Sequence, residues 1–104
     1  MDISKFGWTR KEQEVQTGDY HFSGRILMTA TVQEGLEQEV IQAIVFNALK
    51  FAKEQNGIDY LLVYLNEETG EKLFFIDEST KTELQSGQKP QEYNYATLMF
   101  AEDY

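Results

Sequence analysis

The sequence predicts an α+β domain, in which one long amphipathic helix packs on one face of a mainly antiparallel sheet of about four strands, in the order β-α-β-β-β. Two observations lead to this fold. Residues 33–55 repeat apolar side chains at helical spacing, and the segments on either side alternate or concentrate apolar residues as strands do. The 104 residues contain no cysteine, repeat or linker, so a single domain spanning 1–104 is expected.

The predicted helix, residues 33–55, rests on its spacing and its ends. Glutamates occupy its first turns, and Lys50 and Lys53 lie in its last turns, an order that suits the helix macrodipole. Asn56 and Gly57 then favour a left-handed stop. The apolar residues at intervals of three and four are Leu36, Val40, Ile41, Ile44, Val45, Ala48, Phe51 and Ala52.

Four segments are predicted to be strands. Alternation of apolar and polar residues predicts the first, and the second is apolar on both faces, which is typical of a central strand covered on both sides. A short polar loop ending at Gly70 predicts a hairpin between the second and third strands. The predicted strands are residues 22–32, 58–65, 72–77 and 93–100.

Two further segments lack a sustained period. Residues 1–20 are expected to form an irregular N-terminal arm, with Trp8 as its anchor, because one large aromatic side chain can bury enough area to hold a loose segment. Residues 78–92 are polar and contain Pro90, the only proline, so a surface loop is expected there.

Two apolar surfaces are left without a predicted cover. Phe46 falls in the middle of the helix's polar arc and Leu49 at the edge of that arc. Such residues are ordinary exposed side chains, or are covered by the N-terminal arm, or form a contact site for a partner or a second copy. The sheet face opposite the helix carries aromatic residues, which suggests a homodimer. The residues of the helix outer face are Gln42, Phe46, Leu49, Lys50 and Lys53.

The charge balance is strongly acidic. Aspartate and glutamate number 18 against nine lysines and arginines, which gives a formal net charge of −9. Such a chain repels phosphate backbones and anionic membranes, so we expect no direct binding to nucleic acid or membrane and a basic protein surface as the partner. The alternative is that the negative charge only maintains solubility.

The sequence contains no recognisable secretory segment or membrane span. Residues 1–10 lack a continuous apolar region, and no apolar run approaches the roughly 18 residues of a transmembrane helix. The lack of cysteine is compatible with a reducing compartment. A soluble cytoplasmic protein is therefore expected.

Few residues are suited to catalysis. His21 is the only histidine, no serine lies in a nucleophile-elbow pattern, and no lysine lies in an apolar run. Calcium-loop and glycine-rich phosphate-loop patterns are also missing. We expect no catalytic residue, no cofactor and no metal ligand.

Acidic residues recur in pairs along the second half of the chain. Carboxylates can imitate phosphates, because an acidic surface of suitable shape competes for a basic nucleic-acid channel on another protein. The candidate residues for binding such a protein are Glu67, Glu68, Glu71, Asp77, Glu78, Glu102 and Asp103.

The stretches G-R-I-L-M-T at 24–29, F-F-I-D at 74–77 and A-T-L-M-F-A-E-D-Y at 96–104 are similar to motifs of a known family. They resemble an uncharacterised family of short bacterial proteins, many of them plasmid-borne, that share G-R-V-x-x-T, W-K-I-D-Y-Y-D and V-L-T-I-M-L-A-x-E-Y. The family's G-E-H-D-F segment corresponds to residues 57–61, without its histidine, and Glu78-Ser79 replace an aromatic pair. No site is therefore carried over, and the resemblance implies a mobile-element origin, plasmid or phage.

These observations predict a small non-enzymatic protein of mobile-element type that binds a basic surface of a host protein. Inhibition of a defence or nucleic-acid-handling complex by nucleic-acid mimicry is one form of this function. The alternatives are a self-associating structural module with no charge-dependent target, and a small acid/base hydrolase or metal-binding protein.

Overall fold

Five strands form one mixed sheet in the order β1-β3-β4-β5-β2. The computed structural model describes residues 3–14, 18–78 and 95–104. The α+β class is confirmed, but the sheet has five strands rather than about four, and one strand pair is parallel. The elements are β1 (Trp8–Arg10), β2 (Arg25–Met28), α1 (Ala30–Gly35), α2 (Gln38–Glu54), β3 (Leu61–Asn66), β4 (Lys72–Asp77) and β5 (Tyr95–Phe100), with 3-10 turns at Ile3–Phe6 and Ala101–Asp103.

The hairpin of β3 and β4 is confirmed. Leu65 pairs with Lys72 in an antiparallel register, and β4 has the predicted bounds. β3 is Leu61–Asn66 rather than 58–65, because Ile58 forms an isolated bridge with Tyr20 instead of joining the sheet. Residues 79–94, which hold most of the predicted loop and the start of the last predicted strand, lie outside the described residues.

The single predicted helix is two helices. Thr29 caps α1, because its Oγ1 accepts a hydrogen bond from the Val32 amide at 3.4 Å. Residues 30–32, predicted as the end of a strand, are therefore helical. The backbone becomes extended at Leu36 and Glu37, with ψ angles of 146° and 149°, and α2 begins at the next residue.

The predicted stop of the long helix is confirmed. Asn56 and Gly57 both have positive φ, +53° and +109°, and the Gly57 amide donates to the Ala52 carbonyl at 3.0 Å. Left-handed backbone of this kind ends many helices, and asparagine and glycine tolerate it best.

The parallel pair of β2 and β5 sets the direction of the helices. Ile26 pairs with Ala96 and Met28 with Leu98 in a parallel register, while β4 is antiparallel to both β5 and β3. β2 and β3 therefore run in the same direction, and α1 and α2 form the crossover between them. Since β3 begins at the end of the sheet where β2 begins, α2 must return along the sheet from the far end.

The N-terminal segment, predicted to be an irregular arm, contains the fifth strand. Trp8 pairs with Asn66 and Arg10 with Tyr64, so β1 extends the sheet beside β3. Trp8 is 2% exposed, as expected of an anchor. Because β1 has only three residues, no alternation long enough to identify it exists in the sequence.

The core lies between α2 and one face of the sheet. Each fully buried apolar side chain contributes about 1.5–3 kcal/mol relative to an exposed one. Among its largest members are Trp8, Phe22, Val32, Ile44, Ile58, Leu62, Tyr64, Leu73, Phe75 and Leu98.

A polar contact joins β1, β3 and α2 at the edge of this core. Oδ1 of Asn47 accepts hydrogen bonds from the Arg10 guanidinium at 2.9 Å and from the Tyr64 hydroxyl at 3.0 Å. The guanidinium also lies 3.8 Å from the centre of the Phe51 ring. Burial raises the pKa of Tyr64 above its ordinary value, and Arg10 opposes part of this shift.

The opposite sheet face is only half-buried. β3 was expected to be covered on both sides, yet Leu61, Val63 and Leu65 keep partial exposure. Within residues 3–14, 18–78 and 95–104, no α-helix lies on this face. The Tyr104 ring packs edge-on against Phe74, at 5.5 Å between ring centres, and residues 11–14 line a cleft with Leu61 and Val63.

Candidate binding surfaces

One end of the sheet gathers acidic residues from the β3–β4 turn and from the end of β5. Leu73 pairs with Phe100, so the turn that precedes Leu73 lies beside the 3-10 turn that follows Phe100. Five predicted binding residues therefore share this end: Glu67, Glu68, Glu71, Glu102 and Asp103.

The β3–β4 turn is held by the side chain of Asn66, which is 6% exposed. Its Oδ1 accepts hydrogen bonds from the amides of Glu68 and Thr69, at 2.9 and 3.1 Å. Gly70 has a φ of +79°, a left-handed conformation that glycine adopts without steric cost. The backbone of the turn is thus fixed, while its glutamate side chains remain exposed.

The turn after β5 is fixed to α1. The hydroxyl of Thr31 donates a hydrogen bond to Oδ2 of Asp103, and Oγ1 of Thr29 lies 3.0 Å from Oγ1 of Thr31. Gly35 at the end of α1 also lies near the Phe100 ring, where an added Cβ would be 3.4 Å from ring carbons. These contacts connect the start of the helical crossover to the same end of the sheet.

Sequence reasoning did not assign Glu34, Glu37 and Glu39 to a binding surface. They lie in α1 and at the start of α2, which the parallel pairing of β2 and β5 brings to the end where β5 finishes. A parallel neighbour far away in sequence leaves no local signal, so only the topology could have identified them.

We name the five residues of the β3–β4 turn and the end of β5, together with Glu34, Glu37 and Glu39, the acidic end. Two lysines of the described chain lie there, Lys72 at the start of β4 and Lys5, whose Nζ is 3.9 Å from Oε1 of Glu39. Both members of that ion pair are more than half exposed, so it is a weak contact. The acidic end consists of Glu34, Glu37, Glu39, Glu67, Glu68, Glu71, Glu102 and Asp103.

Asp77 and Glu78 do not belong to this surface, which corrects their inclusion among the candidate residues. They lie at the other end of β4, about 17 Å from Lys72 along an extended strand. Asp77 is 5% exposed, and its Oδ2 accepts a hydrogen bond from the Phe22 amide at 3.1 Å. Its position on the same strand face as Leu73 and Phe75 was the sequence signal for this burial.

The predicted helix outer face is present on α2 as an exposed strip. Phe46 is 51% exposed, and Leu49 is half-buried. Leu49 and Lys53 line an open cleft of about 390 Å³ with His21 and Phe22. The N-terminal 3-10 turn contacts α2 near its start, where Lys5 pairs with Glu39. The contact role of Gln42, Phe46, Leu49, Lys50 and Lys53 stays a prediction.

The described residues form charged and apolar surfaces, and no metal-binding group is found among them. His21 is exposed, and within residues 3–14, 18–78 and 95–104 no three histidine, aspartate or glutamate side chains are grouped so that they could hold a metal ion. None of the helices in that part of the chain has the length and apolar character needed to cross a membrane.

Comparison with protein-family models, with characterised proteins and with solved structures found no match to this chain. The resemblance to the plasmid-borne family stays a prediction.

Proposed function

We propose that the chain is a non-enzymatic binding protein whose acidic end engages a basic surface of another protein, of the kind that holds nucleic acid. The observation that carries this proposal is the convergence of carboxylates from three separate parts of the chain on one end of the sheet. Eight carboxylates stand there against two lysines, so the local field is strongly negative.

Rigid presentation supports the proposal. The Asn66 side chain fixes the β3–β4 turn, and Thr31 holds Asp103 beside the start of α1. Carboxylates on fixed backbone lose less conformational entropy when they bind than carboxylates on a loose tail. A rigid array also presents one spacing of charges, which gives electrostatic complementarity its specificity.

The sign of the charge selects the partner class. A chain of net charge −9 repels the phosphates of nucleic acid and of anionic membranes. It attracts basic channels and grooves, and it competes there with nucleic acid for the same lysines and arginines. A mobile element, the origin that the sequence resemblance implies, gains from a protein that blocks a host defence or nucleic-acid-handling complex in this way.

The experiment compares two triple variants that change the net charge equally. Glu67→Gln with Glu68→Gln and Glu71→Gln neutralises part of the acidic end, and Glu12→Gln with Glu14→Gln and Glu54→Gln neutralises exposed residues elsewhere. After the host protein that copurifies with the chain has been isolated, its affinity for each variant is measured by calorimetry. We expect the first variant to bind at least about tenfold more weakly and the second within about threefold of the original chain.

Equal affinities of the two variants would contradict the proposal, because binding would then depend on net charge alone. Competition by duplex DNA supplies a second readout. The isolated partner should exchange the chain for DNA, and simultaneous binding of both would contradict mimicry.

A further inference from the structure

The half-buried sheet face forms a continuous apolar surface. Register pairs align its side chains in rows across the strands: Val63, Phe74 and Met99 form one row, and Leu61 and Ile76 begin the next. We name this surface the open face. Its residues are Thr9, Leu27, Leu61, Val63, Leu65, Phe74, Ile76, Tyr95, Thr97 and Met99.

The central rows of the open face contain no charged residue, although the whole chain carries a net charge of −9. Arg25, which pairs with Tyr95, and Lys72, which pairs with Leu65, lie on the same side of the sheet but at the ends of their strands. The eight carboxylates of the acidic end lie beyond one end of the strands, outside the rows. Of the ten side chains, Thr9 and Leu27 are exposed, Ile76 is buried, and the other seven are half-buried. An uncharged centre with charged residues at its rim is the compositional pattern of an interface, whose core is depleted in charged residues.

The area of the open face allows a weak association with a second copy of the chain. Four strand spacings of about 4.8 Å and strands of about 20 Å give a projected area on the order of 400 Å². This is smaller than the roughly 600 Å² per partner at the low end of specific interfaces, so two copies joined through this face associate weakly and reversibly. Sheets that pack face to face bury such surfaces at a separation of about 10 Å.

Two rim charges on the central strand define how two copies would align. Lys72 and Glu78 continue the alternation of Phe74 and Ile76, so they lie on the open-face side at opposite ends of β4. A two-fold axis across β4 opposes the strand directions of the copies. It sets Lys72 of each copy over Glu78 of the other, and it keeps the two acidic ends apart.

We propose that two copies of this chain associate through their open faces, with β4 of one copy antiparallel to β4 of the other. The interface is apolar at its centre and has two Lys72–Glu78 contacts at its rim. Its modest area gives a reversible dimer of micromolar affinity. The acidic end of each copy remains accessible in this dimer.

Sedimentation velocity of the whole chain, from low micromolar concentration to about 500 µM, tests the association. The expected result is a concentration-dependent shift from a 12.1 kDa species to one of twice that mass. Added salt should strengthen the dimer, since it screens the repulsion between two acidic chains, whereas it should weaken binding through the acidic end. A chain that stays monomeric throughout overturns the proposal.

Two lysine variants locate the interface. Leu27→Lys and Phe46→Lys each replace an apolar residue, 41% and 51% exposed, with the same charge, on the open face and on the helix outer face respectively. Leu27→Lys should raise the dimer Kd at least about tenfold, and Phe46→Lys should leave it within about twofold. The reverse result assigns association to α2 and overturns the proposal.

Charge exchange tests the alignment with two exposed residues whose substitution leaves the core intact. Lys72→Glu and Glu78→Lys should each weaken the dimer, and the double variant should restore it. Net-charge repulsion alone predicts that Glu78→Lys strengthens association, because that change makes each chain less negative. Strengthening by Glu78→Lys, or a double variant that stays weak, would contradict the antiparallel alignment.

Discussion

The buried carboxylate of Asp77 accepts a hydrogen bond from the backbone amide of Phe22, 55 residues earlier in the chain, at 3.1 Å. Phe22 has a φ of +53°, which is unusual for a bulky residue, and its side chain is 1% exposed. Left-handed backbone at such a residue persists only where the surroundings hold it. Asp77 is therefore a structural residue that holds the chain before β2 against the end of β4.

Replacement of Asp77 by alanine should destabilise the fold by about 2–3 kcal/mol, because a hydrogen bond to a buried charged group is lost and the Phe22 amide is left unsatisfied. Asp77→Asn keeps an acceptor oxygen and should cost less. Urea unfolding measures both variants. The matched control is Glu54→Ala, an exposed residue outside the acidic end and the proposed dimer interface, which should change stability by no more than about 0.5 kcal/mol, and equal losses at the two positions would contradict this role.

The buried Tyr64 should make the fold sensitive to alkaline pH. Burial raises the pKa of its hydroxyl in the folded state, whereas the same hydroxyl ionises near pH 10 in the unfolded chain. Its contribution is fully present below about pH 10 and falls by about 1.4 kcal/mol per pH unit above it, since only the unfolded state then releases the proton.

Tyr64→Phe should remove that slope. At neutral pH it should cost only about 1 kcal/mol, because Asn47 keeps the hydrogen bond from Arg10. The measurement is the free energy of unfolding of both proteins between about pH 8 and 11, and parallel pH profiles would contradict the prediction.

Two glycines should respond to substitution for different reasons. A Cβ at Gly18 would lie 2.2 Å from the Ile58 carbonyl oxygen, so Gly18→Ala must displace backbone and should cost more than about 2 kcal/mol. Gly70 has open space around it and a φ of +79°, so Gly70→Asn should cost less than about 1 kcal/mol. Thermal unfolding compares them, and a larger loss at Gly70 would show that the Gly18 contact yields easily.

Asn66 should stabilise the backbone of the β3–β4 turn. Asn66→Ala removes the acceptor for the amides of Glu68 and Thr69, so their protection from hydrogen exchange should fall. Asn66→Asp retains an acceptor oxygen and should preserve that protection. Unchanged exchange in Asn66→Ala would mean that the turn is held by its backbone contacts alone.

Local patterns in the sequence predicted the elements that depend on local chemistry. The amphipathic repeat identified α2, the Asn56-Gly57 pair identified its end, and alternation with Gly70 identified the bounds of β4. The Thr29 cap was not predicted, because threonine is also common in strands. Residues 30–32, expected to end the strand, therefore begin α1 instead.

Features that depend on distant pairing could not be predicted in this way. β1 is too short for a period, and the parallel contact of β2 with β5 joins segments separated by most of the chain. That contact places Glu34, Glu37 and Glu39 at the acidic end, so their position beside the other carboxylates could be recognised only from the strand topology. The burial of Asp77 could have been predicted from its place on the same strand face as Leu73 and Phe75. Its charge instead suggested an exposed binding residue.

The salt dependence of partner binding tests the central claim most directly. The logarithm of Kd for the host partner is measured against the logarithm of salt concentration for the original chain, for the Glu67, Glu68 and Glu71 triple glutamine variant, and for the Glu12, Glu14 and Glu54 triple. The account predicts a clearly shallower slope for the first triple only, because contacts at the acidic end contribute the screened attraction. Identical slopes for all three proteins would contradict the role of the acidic end.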